Sequence, residues 1–168
     1  RAEFYVLLNQ MLDELDYQVI AVAIRKDEHV ARYRKNAVDP YLYAMEMLIE
    51  RFCEELGEDF DNGFICAEKR NMALDRELLE AWEKLRSAGY GTGYASSSNI
   101  DKHIVGLDLR DKKPNLAGMQ LADLVITPVG RHVLQSPEKA DQVQWSVVER
   151  KLRRVGGRYL GVGLVVRP

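Results

Sequence analysis

Residues 63–85 read G-F-I-C-A-E-K-R-N-M-A-L-D-R-E-L-L-E-A-W-E-K-L, and their apolar period changes partway. Gly63 to Ala67 is a short, nearly unbroken apolar run, the pattern of a buried strand, and it ends at Glu68. Two cations later, Asn71 is placed to cap a helix, because its side-chain oxygen can take the orphan N–H groups of a first turn. Leu74, Leu78, Trp82 and Leu85 then recur at helical spacing along one face. A buried strand feeding directly into an amphipathic helix is the unit from which sheets covered by helices are built.

The flanking segments extend the same alternation. Phe4, Leu7, Leu8, Met11, Leu12 and Leu15 predict a helix, and Tyr17 to Ile24, Y-Q-V-I-A-V-A-I, predicts a central strand with little polar alternation. Asp39 and Pro40 open a helix that carries Leu42, Met45, Leu48, Ile49, Phe52 and Leu56 to a stop at Gly57. Downstream, the Gly- and Ser-rich segment from Ser87 to Asn99 predicts a loop, and Ile104 to Leu109 a third strand. Lys112, Lys113, Pro114 and Asn115 form a basic turn before a helix from Leu116 to about Leu134, kinked or interrupted at Pro128. Trp145 to Arg154 predicts a helix stopped by Gly156 and Gly157, and Tyr159 to Val166 a closing strand. The reading is an α/β fold, a sheet flanked by helices, in a single domain over residues 1–168.

With 168 residues and 46% hydrophobic content, one core is enough to bury most of the apolar surface. The net charge of −2 excludes neither nucleic acid nor small molecules as partners, but its distribution is uneven. Residues 1–63 carry 7 basic and 14 acidic side chains, net −7, and residues 64–168 carry 17 and 12, net +5. An anionic ligand is therefore expected on the later part. Cys53 and Cys66 both fall in apolar surroundings, which predicts two reduced core thiols rather than a disulfide or a zinc site. No run approaches ~18 consecutive apolar residues, and the start lacks the layout of a signal peptide, so the expectation is a cytoplasmic protein with no membrane partner. The first residue is not Met and the helical period is under way almost at once, which predicts that the numbering begins inside a longer protein.

Two carboxylates stand out. Glu68 ends a buried strand, and ligands of open α/β sheets bind in the crevice beyond strand carboxyl ends; it can equally be a surface ion pair with Lys69 or Arg70. Asp123 is surrounded in its helix by Leu121, Ala122, Leu124, Val125 and Ile126, so an ionised carboxylate there is expected to be paired or coordinated. Gln120, Asp123, Thr127 and Arg131 form one narrow polar stripe, which an exposed or Arg-paired helix face explains as well as a ligand role does. Two carboxylates from separate elements can hold Mg²⁺ or Mn²⁺, because hard cations take oxygen ligands and keep water in the other positions. Lys112 and Lys113 precede a helix N-terminus, and Arg153 and Arg154 lie near a helix end, where cations can grip phosphates or simply complement the helix dipole. Tyr90 to Tyr94, Y-G-T-G-Y, lacks the Gly-Lys-Ser/Thr of a phosphate loop, and His29, His103 and His132 show no metal spacing.

The segments N-L-A-G-M-Q-L-A-D-L-V-I-T-P-V-G-R at 115–131, C-A-E-K-R at 66–70 and G-V-G-L-V-V at 161–166 resemble the domain-of-unknown-function family 3800, along nearly the whole chain. The resemblance implies a ribonuclease H-like mixed sheet flanked by helices. It also implies an opening hairpin bearing Asp-Glu-Ser-Gly, a later acidic residue, and the Asp of a Q-L-A-D helix. Glu68 and Asp123 match the latter two, as catalytic residues and as ligands of Mg or Mn, with Asp75 the substitute for Glu68. Asp-Glu-Ser-Gly does not occur in these residues, so the domain is expected to lack its N-terminal strands and to pair with that segment of the same protein or with a second copy.

These readings converge on a divalent-metal-dependent nuclease, with Lys112, Lys113, Arg153 and Arg154 positioning the nucleic-acid backbone. The competing reading is a non-catalytic module that keeps the fold and binds nucleic acid or protein.

Overall fold

The computed structural model describes residues 2–36, 38–57, 62–88, 97–113 and 115–168, and these form a mixed α/β structure. The contacts gather into two compact units, Arg1–Arg32 with Gln120–Pro168, and Tyr33–Met119. Among the described residues there are seven α-helices and two sheets of two strands each. No described helix is long and apolar enough to cross a membrane.

The first unit joins the two ends of the chain. Helix α1 (Ala2–Glu14) precedes strand β1 (Ala21–Ile24), which pairs in parallel with β4 (Leu164–Arg167) from Ala21↔Leu164 to Ile24↔Arg167. β1 is shorter than the apolar run predicts because Val19 takes different backbone partners: its N–H donates to Lys151 O and its carbonyl accepts from Arg153 N. The same bonds end helix α7 (Trp145–Lys151) early, with Leu152 already extended. β4 in turn begins at Leu164 rather than Tyr159, because the Tyr159 carbonyl collects the N–H groups of Val162, Gly163 and Leu164 in a tight turn through Gly161 at φ 79°. Gly163 has no room for a side chain, since a Cβ would overlap the Arg153 backbone.

Helix α2 (Lys26–Tyr33) has no apolar period and was not legible in the sequence; Asp27 and Glu28 in its first turn suit the helix dipole, and His29 is buried with Nδ1 3.0 Å from Pro168 O. Helix α6 (Ala117–Val133) runs through Pro128 without a break. Its core-facing side holds Val125, Pro128 and Val129, packed with Leu12, Val19, Val147, Val148, Leu152 and Leu164.

The second unit is continuous in sequence. Helix α3 (Pro40–Leu56) is capped by Asp39, whose Oδ1 accepts from Tyr41 N at 2.9 Å and Leu42 N at 3.3 Å, and it is followed by Gly57 at φ 64°. Strands β2 (Gly63–Glu68) and β3 (Ile104–Arg110) pair in parallel across a crossover that contains α4 (Met72–Ala88) and α5 (Ser97–His103). Ser87 and Ala88 at the start of the predicted loop belong to α4 and its end to α5, while residues 89–96, with Y-G-T-G-Y, lie outside the described residues, as does Pro114 of the basic turn. Ile49, Cys53, Trp82, Leu85, Ile100 and Ile104 make the core, with Ile65 and Leu107 packed against it. Burial pushes the Cys53 thiol up to about 11, which keeps it protonated and inert. Cys66, expected in a core, is exposed because it points to the other face of the sheet from Ile65.

Candidate functional site

The alternation of β2 fixes the site. Ile65 faces the core, so Phe64, Cys66 and Glu68 share the opposite, open face. The parallel register sets Gly106 beside Phe64, Asp108 beside Cys66 and Arg110 beside Glu68. Glu68 and Asp108 thus lie on one face of two neighbouring strands, near their carboxyl ends, with side chains 38% and 35% exposed. Both stay reachable from solvent while their backbones are fixed by the ladder.

Cations ring these carboxylates. Lys112 Nζ is 3.6 Å from Glu68 Oε1, Arg110 Nε pairs with Asp108 Oδ2, and Lys69 Nζ is 3.4 Å from Asp111 Oδ2. Arg70 lies over the Tyr41 ring at 4.8 Å, and Lys113 is exposed on the same turn as Lys112. Lys69, Arg70, Arg110, Lys112 and Lys113 thereby place five positive groups at one end of the sheet against Glu68, Asp108 and Asp111. Exposed ion pairs of this kind contribute roughly 0–1 kcal/mol each and exchange readily for another anion. The surface-pair reading of Glu68 holds with a different partner from those the sequence suggested, Lys112 instead of Lys69 or Arg70.

Asp75, the substitute for Glu68, is engaged elsewhere. Asn71 Oδ1 accepts from Ala73 N at 3.1 Å and Leu74 N at 3.0 Å, and Asp75 Oδ1 accepts from Arg70 N at 2.9 Å, so the carboxylate helps set the start of α4.

The remaining sequence-derived residues belong to the first unit. Asp123 is exposed on α6, as are Gln120, Ala122, Ile126 and Thr127. The apolar surround that called for a partner is only partly buried, with Ala122 and Ile126 exposed, so its surroundings do not by themselves require one. Arg153 is 6% exposed, which withdraws it from any surface that positions a nucleic-acid backbone. Arg154 is exposed but occupied: Nη1 donates to Gly157 O at 3.1 Å, Nη2 to Glu149 O at 3.0 Å, and the guanidinium sits 4.9 Å over the Tyr159 ring. It satisfies backbone carbonyls at the end of α7, the dipole-complementing role of a cation there.

The structure therefore brings Glu68 together with Lys112 and adds Asp108 and Arg110, which the sequence did not single out. Among the described residues, no group of three or more His, Cys, Asp or Glu is gathered to hold a metal ion. No protein-family model, curated protein or solved structure matches this chain.

Proposed function

We propose that this chain is a ribonuclease H-like domain of a divalent-metal-dependent nuclease, and that the open face of β2 and β3 is where the phosphodiester is held. The observation that carries the proposal is the co-facial pair Glu68 and Asp108 within a rim of cations at strand carboxyl ends. The donor set suits one hydrated Mg²⁺ or Mn²⁺, which takes one or two carboxylates together with substrate phosphate and keeps its remaining waters. Such a cation supplies an activated water and charge stabilisation at the phosphoryl oxygens. Arg110 and Lys112, released from their carboxylates, then hold the phosphate backbone alongside Lys69 and Lys113 without reading sequence. Asp123, in the first unit, keeps a metal-ligand role only through the resemblance of its Q-L-A-D segment.

A specific observation favours the second reading, a non-catalytic nucleic-acid-binding module: Glu68 and Asp108 each already have a cation of their own. Calorimetric titration of Mn²⁺ into residues 1–168 separates the two. The nuclease reading expects binding that weakens at least about ten-fold in Glu68→Gln and again in Asp108→Asn, since each loses a charged oxygen ligand. Asp123→Asn tests whether that carboxylate contributes to metal binding at all. Metal binding that is absent, or indifferent to all three substitutions, leaves the module. Cleavage by residues 1–168 alone is expected to be slight, because the Asp-Glu-Ser-Gly carboxylates are not among them.

A further inference from the structure

The first unit holds a cavity of ≈ 280 Å³ between the end of α6 and the start of α7, lined by Pro128, Arg131, His132, Glu138, Gln142 and Trp145 among others. Three features of its wall are unusual together. Arg131 makes no ion pair among the described residues, and its Nη1 is buried without a hydrogen-bond partner. Gln142 Oε1 is likewise buried and unpartnered. The His132 and Trp145 rings stack at 3.8 Å and 8°, with Tyr159 meeting Trp145 edge-on at 6.4 Å.

Each feature asks for a complementary group. Buried polar atoms are nearly always hydrogen-bonded, and a guanidinium without a counter-charge is the strongest donor for an anion. An unpartnered amide oxygen accepts from an N–H. A parallel pair of flat rings, one of them exposed, continues as a stack with a third π-system. The Glu138 carboxylate does not fill the need for an anion, since its Oε1 accepts from Trp145 N at 3.0 Å and holds the start of α7.

We propose that this cavity binds a single nucleotide, its phosphate held by Arg131, its base stacked on the His132–Trp145 pair and a base N–H given to Gln142. The volume is near the lower end of small-ligand sites, roughly 300 Å³, which suits one nucleotide rather than a strand. The site lies in a different unit from the β2–β3 rim and stands or falls separately from the nuclease reading.

The test is quenching of tryptophan fluorescence in residues 1–168 by uridine 5′-monophosphate, with uridine and inorganic phosphate titrated separately. Trp82 is buried in the other unit and gives a constant background. The nucleotide should saturate and bind more tightly than either part. Arg131→Gln should weaken the nucleotide at least about ten-fold, as expected for a charge-assisted bond, and leave uridine unchanged. His132→Ala should weaken both nucleotide and uridine, and Arg131→Lys should lose less than Arg131→Gln. Phosphate binding as tightly as the nucleotide, absence of saturable quenching at millimolar nucleotide, or equal loss of nucleotide and uridine in Arg131→Gln overturns the proposal. Far-ultraviolet circular dichroism of each variant establishes that it is folded before it is titrated.

Discussion

The two units use their cations in opposite ways. In the first, Arg153 is buried, Arg154 is spent on the carbonyls of Glu149 and Gly157, and Arg150 pairs with Asp13 at 2.9 Å while Lys151 donates to Leu15 O at 2.6 Å. In the second, Arg110, Lys112 and Lys113 stay exposed at the strand ends, the first two facing carboxylates they can exchange for a phosphate. The segment that looks most basic in the sequence, around residues 150–158, is therefore mostly structural, and in the proposed reading it is the less conspicuous turn at 110–113 that faces the ligand. What separates the two is what lies within reach: Arg154 meets the carbonyls of Glu149 and Gly157, whereas Arg110 and Lys112 meet the carboxylates of Asp108 and Glu68.

The comparison breaks if the first-unit cations prove dispensable. Arg153→Ala should lower the unfolding free energy by about 2–4 kcal/mol, because it empties a buried position and strands the groups around it. Urea denaturation measures this, and a loss within about 0.5 kcal/mol would return Arg153 to the surface. The opposite behaviour is expected of the rim. Lys112→Ala together with Lys113→Ala should leave the denaturation midpoint nearly unchanged while weakening nucleic-acid binding. Its salt-dependence slope should fall by about 0.7–0.9 for each phosphate no longer neutralised, read from affinities over a range of salt concentrations. The smallest effect sharpens the contrast through pH. A hydrogen bond from Arg150 outweighs desolvation, the next-largest cause, and with the lesser help of the Arg150 and Lys151 charges holds the Asp13 carboxyl below its usual range. A depressed folded-state value means that the contribution is complete above the ordinary Asp value of 3.8 and is lost as pH falls through the folded one. Wild type should thus melt slightly above Asp13→Asn near neutral pH, with the difference closing under acid. A difference that persists in acid would show that the ion pair is not its source.

Capping and periodicity carried most of what the sequence disclosed. Asp39, Asn71 and Gly57 sit where their chemistry put them, and β2 and β3 fall within a residue of the apolar runs that predict them. Helix α2 was invisible because K-D-E-H-V-A-R-Y has no apolar stripe, and β1 and β4 were drawn too long because partner changes at Val19 and Tyr159 leave no trace in composition. The site was half legible. Glu68 is legible from strand polarity and the basic turn from its own residues before a helix start, but Asp108 and Arg110 become neighbours of the β2 face only through the β2–β3 register, which neither strand encodes alone. The surroundings of Asp123 are less legible for the converse reason: apolar neighbours on a helix such as Ala122 and Ile126 need not be buried, and here they are exposed.

The pairing of β1 with β4 also sets an order of events as the chain is made. Residues 33–119 form a continuous unit, so β2, its crossover and β3 are all synthesised before Leu164 exists to meet Ala21. Closing the first unit demands a long-range encounter, with the larger loop entropy and slower rate that this entails, whereas the second can fold on contacts from its own stretch of chain. Until β4 arrives, α1 and β1 wait with their apolar faces uncovered. A ribosome-bound chain halted near residue 150 would therefore be expected to display a finished second unit and an open first one, with chaperone contacts confined to the N-terminal segment.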